Sequence, residues 1–260
     1  MTLPSRDRKL ALIFGISSHL GRLLAVGLAA DGYSIFGTYR RRTPETDSLR
    51  AIAGEHHDAV GLFELDVLDT RALYAFLDTQ VRPRCASVAE TAFVYCCGTY
   101  HLASAASLTA EEFDAVLGVG LRAPCLISAF LLRNAQSPVK IILVTGLGGE
   151  KAAVAGNCLY ATCTNGIYSF VKAVGMELAG GPSSCTGISL GLFDKQQPDI
   201  HERCAQLNIR RPGDMNRVSL FIRQLAIPGT FYLNGAIVEL ADGLFNYDQL
   251  NQLLRKGGAG

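Results

Sequence analysis

The sequence predicts an α/β protein, in which helices cover both faces of one doubly wound, mostly parallel sheet. Apolar runs of strand length alternate along the chain with longer segments of helical period, as in such a sheet. No internal repeat, low-complexity tract or linker long enough to separate two domains interrupts the alternation. Because 260 residues also suit one large domain with a sizeable core, we expect a single domain over residues 1–260.

Seven apolar runs have the length and composition of buried strands, which predicts a seven-stranded sheet. These runs are Leu10–Phe14, Tyr33–Tyr39, Val60–Leu65, Thr91–Cys96, Val139–Thr145, Cys185–Leu190 and Ala236–Leu240. The predicted helices are Leu20–Ala30, Arg71–Gln80, Ala110–Leu132, Leu159–Leu178 and Asp214–Ala226. Pro124 lacks a backbone N–H, so the third helix should kink or begin again near it. In the C-terminal tail, 244–260, apolar side chains recur every three or four residues, which predicts a short helix followed by a flexible end.

Composition excludes several classes of partner. A net charge of +1 gives no reason to expect nucleic acid or an anionic membrane, and no apolar run reaches the ~18 residues of a membrane span. The apolar run Leu10–Phe14, behind a polar N-terminus, is too short for a signal peptide, so we expect a cytoplasmic protein. The eight cysteines form no CxxC pair and should be free thiols, and the five histidines lack metal-ligand spacing with them, so we expect no metal.

A glycine-containing turn joins the first strand to the first helix. It reads Gly15-Ile16-Ser17-Ser18-His19-Leu20-Gly21. Glycines at such a turn let the backbone approach a pyrophosphate, whose charge the helix amides hold. The candidate cofactor-binding residues here are Gly15, Ser17, Ser18, His19 and Gly21. His19 stands where the middle glycine of such loops often lies, and an imidazole there either crowds the phosphates, donates a hydrogen bond to them, or is an exposed loop histidine.

Three arginines, Arg40, Arg41 and Arg42, follow the second strand. A site for NAD usually carries a carboxylate at this strand end to hold the ribose hydroxyls, and none is present. Because a guanidinium matches a phosphate in geometry and charge, NADP(H) is favoured over NAD. A solvated surface cluster is the alternative. After the third strand, Asp66 and Val67 are candidate contacts for the adenine edge.

With these motifs, the sequence resembles the short-chain dehydrogenase/reductase (SDR) superfamily from Leu10 to about Gly243. Further segments that carry the resemblance are Cys97-Gly98, Tyr160 at the start of a long helix, Arg211-Pro212-Gly213-Asp214 and Ile237–Gly243. The resemblance implies a Rossmann-type fold, a nicotinamide cofactor that Gly98 also contacts, and a small-molecule substrate. It also implies a homodimer or homotetramer, formed through the two long helices and the C-terminal strand.

The catalytic pattern of that family is only partly present. The family has a serine after strand five, a Tyr-x-x-x-Lys pair and an asparagine in the preceding long helix. Here Tyr160 is kept, but Thr164 stands at the lysine position. Gly146, beside Thr145, takes the serine position, and Gly120 the asparagine position. The adenine half of the site is therefore better kept than the nicotinamide half.

These departures change what Tyr160 can do. An unperturbed tyrosine has a pKa of about 10, and without a lysine ammonium beside it the hydroxyl should be a poor general base. As a neutral acid or hydrogen-bond donor it could still stabilise an enolate or oxyanion, with Thr145 as a second donor. A tyrosine that only packs is the alternative. After strand four, His101 is a candidate base near neutral pH or a structural loop histidine.

Three functions stay open. The first is a diverged enzyme that uses the old pocket for cyclisation, dehydration or isomerisation, by analogy with superfamily members that lost the catalytic residues. The second is an NADPH-dependent carbonyl reductase with an altered acid. The third is a catalytically inactive nucleotide-binding or scaffolding partner. In the first and third, NADP(H) would be structural or lost.

Overall fold

We describe residues 8–55, 60–99, 103–147, 156–194, 200–206, 212–227 and 233–241 of a computed structural model of the chain. They contain one seven-stranded sheet of order β3-β2-β1-β4-β5-β6-β7, in which every pair of neighbouring strands is parallel. The strands are β1 Lys9–Phe14, β2 Tyr33–Tyr39, β3 Val60–Glu64, β4 Glu90–Tyr95, β5 Val139–Gly146, β6 Ser184–Leu190 and β7 Ile237–Leu240. The predicted Rossmann-type architecture is thereby confirmed.

Nine α-helices lie within the described residues. They are α1 His19–Ala30, α2 Pro44–Glu55, α3 Thr70–Phe76, α4 Arg82–Cys85, α5 Ala110–Leu117, α6 Ala123–Asn134, α7 Cys158–Glu177, α8 Ile200–Gln206 and α9 Met215–Ala226. A π-helical segment, Leu77–Val81, joins α3 to α4, and another, Gly118–Arg122, joins α5 to α6. One turn of 3₁₀-helix spans Ala105–Ser107.

The sheet separates two apolar layers. Alternate residues of β1 face opposite sides, with Leu12 and Phe14 in one layer and Ala11 and Ile13 in the other. Helices α3, α6 and α7 cover the first layer, and α1, α2 and α9 cover the second. Because both faces are buried, the strands read in the sequence as nearly continuous apolar runs.

Three of the described helices, α2, α4 and α8, were not predicted from the sequence, and the long helix around Pro124 is divided. The pattern did not predict α2, whose polar sequence places Leu49 in the core, while Glu45 and Asp47 occupy its first turn. The helix predicted over Ala110–Leu132 is instead α5 and α6 joined by the π-helical segment. Because α6 begins at Ala123, beside Pro124, the expected restart of the helix near this proline is confirmed, and the π-helical segment lies directly before it.

The combined helix of residues 110–134 is also long and apolar enough to cross a membrane. However, 44% of its apolar window is buried inside the protein. There α6 packs against β5, and α5 packs against α7. The apolar composition of this helix is therefore explained by its place in the core. The predicted C-terminal helix of residues 244–260 lies outside the described residues.

Candidate nucleotide and substrate site

The site lies at the carboxyl edge of the sheet, where the strand order reverses. Strand β1 is flanked by β2 and β4, so the chain crosses the sheet there and leaves a crevice beyond the strand ends. A cavity of about 350 Å³ lies in this crevice. Its walls come from the turn after β1, from the ends of β4, β5 and β6, and from α5, α7 and α9. Among the described lining residues there is no Lys, Arg, Asp or Glu.

The turn after β1 has the geometry that the sequence predicted. Gly15 has a φ of +85°, and a Cβ there would lie 3.0 Å from the backbone of Cys96 and Cys97. A Cβ on Gly21 would overlap the carbonyl oxygen of Gly15. Ser18 caps α1, since its Oγ accepts a hydrogen bond of 3.0 Å from the Gly21 amide. The two glycines are therefore required for the turn to pack against the strand and helix.

The same turn fits a dinucleotide pyrophosphate. The amides of His19 and Leu20, the first two of α1, take part in no hydrogen bond with the described residues. Opposite them, a Cβ added to Gly98 would meet no atom within 4 Å, so open space lies beyond the end of β4. Open amides and open space are what a bound phosphate needs. Ser17 contributes its carbonyl oxygen to the turn, which accepts a 2.8 Å hydrogen bond from the Arg22 guanidinium.

The three arginines after β2 are exposed but not equivalent. Arg42 is held away from the site, because its Nε donates a 2.8 Å hydrogen bond to Oδ1 of Asp47 in α2. Arg40 lies near enough to the end of β4 to lower the pKa of the Cys97 thiol electrostatically. Arg40 therefore lies near the crevice, whereas the Arg41 side chain is exposed and its role as a cofactor contact stays a prediction.

Asp66 and Val67 behave differently from each other. Asp66 also acts electrostatically on Cys97, and its Oδ1 accepts a 3.0 Å hydrogen bond from the Leu68 amide, so its carboxylate is fixed near the crevice. The Val67 side chain is buried in the core layer beneath α3 and α6. Only the backbone of Val67 is therefore available to a nucleotide.

Tyr160 and Thr145 line the same cavity, as predicted. Tyr160 lies in the first turn of α7, and its hydroxyl is directly over Gly146, where an added Cβ would overlap it. Thr145 Oγ1 is 3.3 Å from Thr164 Oγ1, and Thr164 is fully buried. The hydroxyl at the lysine position is thus hydrogen-bonded to the hydroxyl beside the serine position. His101, the third candidate, lies outside the described residues.

The asparagine position is filled by a cysteine that sequence reasoning missed. A Cβ added to Gly120 would lie 3.0 Å from Sγ of Cys163. That thiol donates a 3.4 Å hydrogen bond to the carbonyl of Val116, at the end of α5. Gly120 lies in the π-helical segment, whose irregular backbone brings it close to α7. No local pattern indicates this contact, because 43 positions separate the two residues and the glycine only provides space.

Cys97, which also lines the cavity, is not an activated nucleophile. Burial raises the pKa of its thiol to about 12, although the positive charge of Arg40 opposes the shift. A catalytic cysteine needs a lowered pKa, so the thiol of Cys97 stays protonated near neutral pH. The chemistry available in the described part of the cavity therefore comes from hydroxyl groups and from His19.

The family model of the short chain dehydrogenases matches residues 9–198. The chain belongs to the short-chain dehydrogenase/reductase family. This SDR is 24% identical over 251 residues to the (3R)-3-hydroxyacyl-CoA dehydrogenase of Mus musculus, covering 91% of this chain and 96% of that protein. It is 25% identical over 243 residues to the 3-oxoacyl-(acyl-carrier-protein) reductase FabG of Aggregatibacter actinomycetemcomitans, covering 90% of this chain and 98% of that protein.

Solved structures show the same fold. An SDR from Serratia marcescens superposes with a TM-score of 0.82 at 21% identity, covering 92% of this chain and 99% of that one. A short chain dehydrogenase from Burkholderia cenocepacia, solved in complex with NADP, gives a TM-score of 0.79 at 20% identity over the same shares. At this identity the likeness establishes only the fold of this SDR, and its chemistry has to be inferred from its own residues.

Proposed function

We propose that this SDR binds NADP(H) and acts on a small carbonyl compound by cyclisation, dehydration or isomerisation, with Tyr160 as a neutral acid or hydrogen-bond donor. The observation that carries this proposal is the residue at the family's lysine position, Thr164, on the same helix as Tyr160, whose hydroxyl lies over Gly146. Thr164 replaces that lysine with a buried hydroxyl bonded to Thr145.

These surroundings favour the protonated form of Tyr160. Thr164 carries no charge that could stabilise a phenolate, so we infer that Tyr160 acts as a neutral hydrogen-bond donor. A donor aimed at a developing oxyanion contributes about 3 kcal/mol to transition-state stabilisation without being ionised. Such a contribution suits the formation of an enolate better than it suits the deprotonation of an alcohol.

Different residues of the chain would bind different parts of NADP(H). The turn at Gly15 and Gly21 holds the pyrophosphate on the amides of α1, and Gly98 leaves room for the nucleotide beyond β4. Arg40 and Arg41 would pair with the 2′-phosphate. When bound, the cofactor supplies either a hydride or a charged ring in the pocket. The NADP complex of the Burkholderia cenocepacia structure supports this choice of cofactor.

The names of the relatives support one substrate class to test first. The mouse relative is named for 3-hydroxyacyl-CoA and the bacterial one for 3-oxoacyl groups on acyl-carrier protein. Both groups are acyl thioesters with an oxygen at the third carbon. Loss of water from the 3-hydroxyacyl thioester would pass through an enolate. A base, for which His101 is the candidate from the sequence, would take the α-proton, Tyr160 would donate a hydrogen bond to the thioester oxygen, and the 3-hydroxyl group would leave with a proton as water.

A carbonyl reductase with an altered acid is the second candidate. The two relatives are named as a dehydrogenase and a reductase, and Tyr160 keeps the position of the family's catalytic tyrosine. In this reading the neutral Tyr160 protonates the oxygen as hydride arrives at the carbonyl carbon. It predicts that NADPH is consumed in proportion to product.

We also propose that the protein acts in the cytoplasm as a homodimer or homotetramer. All eight cysteines are free, which suits a reducing compartment. Phe113 in α5 and Met176 in α7 are 46% and 80% exposed, on helices of the pair that the resemblance places at a subunit interface. Sedimentation velocity of the purified protein tests the assembly, and a monomer at micromolar concentration would refute it.

The function is tested by binding followed by turnover. Calorimetric titration with NADPH, NADP and NADH comes first, with micromolar affinity for NADP(H) and weaker binding of NADH expected. Short-chain 3-oxoacyl and 3-hydroxyacyl thioesters are then incubated with the protein and the cofactor. Loss of water or an isomer by mass spectrometry, with constant NADPH absorbance, supports the proposal. Oxidation of NADPH would favour the reductase instead.

Two variants separate chemistry from packing. Tyr160→Phe removes the proposed donor and should lower turnover about a hundredfold. Tyr168→Phe is the matched control, since Tyr168 lies two turns further along α7, outside the cavity lining, and donates a 2.7 Å hydrogen bond to Ser189. Equal activity of both variants would rule out Tyr160 as the donor.

A further inference from the structure

We propose that the C-terminal tail of the chain, residues 244–254, packs into an apolar groove between α9 and the end of β7 of the same chain. This groove, called here the α9 groove, has a volume of about 420 Å³ and shares no described lining residue with the nucleotide and substrate cavity. Its apolar walls are formed by Phe193, Pro212, Val218, Phe221, Leu240 and Ala241. The inference concerns how the domain is completed and does not rest on the proposed function.

The first argument is that the last strand lacks cover. Strand β7 forms one edge of the sheet, and all four of its residues are partly exposed, whereas every residue of the central strand β4 is buried. Three of the four, Ile237, Val238 and Leu240, are apolar. Phe221, which also lines the groove, is partly exposed as well. Because proteins usually cover an apolar edge strand with a helix or a loop, we expect a further segment of chain here.

The second argument is the path of the chain. The described part of the chain ends at Ala241, and this residue itself lines the groove. Only Asp242 and Gly243 separate it from Leu244 and Phe245. Because a chain spans at most about 3.6 Å per residue, Leu244 lies within roughly 11 Å of Ala241 and Phe245 within roughly 14 Å. Two large apolar side chains therefore follow directly at the groove, and packing into it removes them from water.

The third argument is the composition of the tail. After Phe245, apolar side chains recur at Tyr247, Leu250, Leu253 and Leu254, as on one face of a short helix. Such a face needs an apolar surface to pack against. The α9 groove supplies one, and it begins where the tail begins.

Charge at the rim of the groove favours the same occupant. Arg217 is exposed on α9, and its side chain forms no hydrogen bond or ion pair with a described residue. Asp214, the other charged residue of the described lining, caps the helix. The tail and the residues that lead into it carry Asp242 and Asp248 and have no basic residue before Arg255. An acidic segment beside this guanidinium is attracted to it.

A tail in the groove would also support the neighbouring cavity. The Gly213 amide donates a 2.9 Å hydrogen bond to the carbonyl of Leu192, and the Asp194 amide donates one of the same length to the carbonyl of Gly213. Gly213 lines the α9 groove, and Met215, two residues later, lines the nucleotide and substrate cavity. The tail would therefore pack against the back of a wall of that cavity.

Photo-cross-linking of the full-length chain tests the inference. Phe221 is replaced by the photoreactive p-benzoylphenylalanine, and mass spectrometry identifies the peptide that it captures. The matched control carries the same group in place of Leu220, the preceding residue of α9, which is 53% exposed and does not line the groove. A mixture of isotope-labelled and unlabelled protein distinguishes capture within one chain from capture between two copies.

Melting temperatures give a second measurement on the full-length chain. Phe221→Ala should lower the melting temperature by roughly 5 °C, because it removes a large apolar side chain from the contact. In the tail variant Leu244→Ser/Phe245→Ser, the same change should have less than half this effect, since the partners of Phe221 are already lost. Leu220→Ala should give the same shift in both backgrounds.

The expected result is capture of residues 244–254 of the same chain from position 221 but not from position 220, together with coupled melting temperatures. Capture of the tail of a second copy would overturn the inference, by showing that the groove is an interface between copies. Capture of another segment, or equal capture from both positions, would show that the tail does not fill the groove. Additive shifts in melting temperature would overturn the inference as well, and this measurement decides the matter if the photoreactive variant does not fold.

Discussion

The helix that carries the nucleotide turn is anchored at its far end, and this anchor gives a prediction with a definite magnitude. Arg223 of α9 donates two hydrogen bonds to Asp31 at the end of α1, from Nε at 2.8 Å and from Nη2 at 2.7 Å. The guanidinium passes directly over Gly27 of α1. A Cβ added there would lie 2.5 Å from Cδ and 2.8 Å from Nε of Arg223.

Gly27→Ala therefore has two opposing effects. In a helix interior, alanine stabilises the helix by about 0.8–1 kcal/mol relative to glycine. The new methyl group displaces Arg223 and breaks a partly buried, bidentate ion pair, which costs about 1 kcal/mol at the upper end of the range for such pairs. The two terms cancel, and we expect Gly27→Ala to leave the free energy of unfolding nearly unchanged.

In an Arg223→Ala background nothing is displaced, and Gly27→Ala should stabilise the protein by about 0.8–1 kcal/mol. Urea unfolding of wild type, the two single variants and the double variant gives the coupling energy, which we expect to be about 1 kcal/mol. Additive effects within error would refute the reasoning, because they would show that Arg223 does not pass over Gly27 in solution.

Three further predictions concern acid stability, nucleotide binding and thiol reactivity. Arg223 holds the pKa of Asp31 below its ordinary value, so this carboxylate contributes stability above about pH 4 that is lost as the pH falls further. The difference in melting temperature between wild type and Asp31→Asn should therefore shrink below pH 4. A difference that stays constant would contradict this. Gly98→Leu should fill the open space beyond β4 and weaken NADP binding at least tenfold in calorimetry, while the melting temperature changes little. An unchanged affinity would show that the nucleotide binds elsewhere. Because burial raises the pKa of Cys97 to about 12, iodoacetamide at pH 8 should label this thiol readily in the unfolded protein but hardly at all in the native protein. Peptide mass spectrometry measures the labelling. Equal labelling of both states would contradict the raised pKa.

The sheet and its carboxyl edge could be predicted because they depend on patterns that the sequence displays directly. The observed strand Tyr33–Tyr39 has the predicted bounds, and the strand predicted over Leu10–Phe14 gains only Lys9. Once the strand order is known, the turn at Gly15 and the start of α7 must meet at the same edge. Apolar period and turn chemistry therefore located the turn after β1, whereas Thr145 and Tyr160 came from the resemblance to the family's catalytic pattern.

The rest of the site could not be predicted, because it depends on which groups fill small spaces. The position of the Tyr160 hydroxyl over Gly146 and that of Cys163 over Gly120 each require the packing of α7 to be known within an ångström. Helix α2 escaped prediction for a related reason, since its mostly polar sequence gives little apolar period. Val67, which fits a family motif, has its side chain buried in the core, and the sequence did not indicate that only its backbone could meet a nucleotide.

The three residues that depart from the family's catalytic pattern are packed closely by neighbouring side chains. This packing determines the effect of restoring one of the family's residues alone. The Tyr160 hydroxyl occupies the place where a side chain at Gly146 would begin, and Thr164 is fully buried against Thr145. Cys163 fills the space at Gly120. The longer side chain introduced by Thr164→Lys would therefore have to fit where the neighbouring side chains leave room only for a smaller one.

We therefore expect Thr164→Lys alone to lower the melting temperature and to give no NADPH oxidation with 3-oxoacyl thioesters. A buried ammonium without an acidic partner is costly, and no carboxylate is among the described residues that line the cavity. The measurement is NADPH absorbance with wild type, with Thr164→Lys, and with Thr164→Val as a neutral control of similar size. NADPH turnover by Thr164→Lys would show that the pocket still holds cofactor and carbonyl in the family's geometry. The reductase would then become the better interpretation, with an ammonium group restored at the family's lysine position.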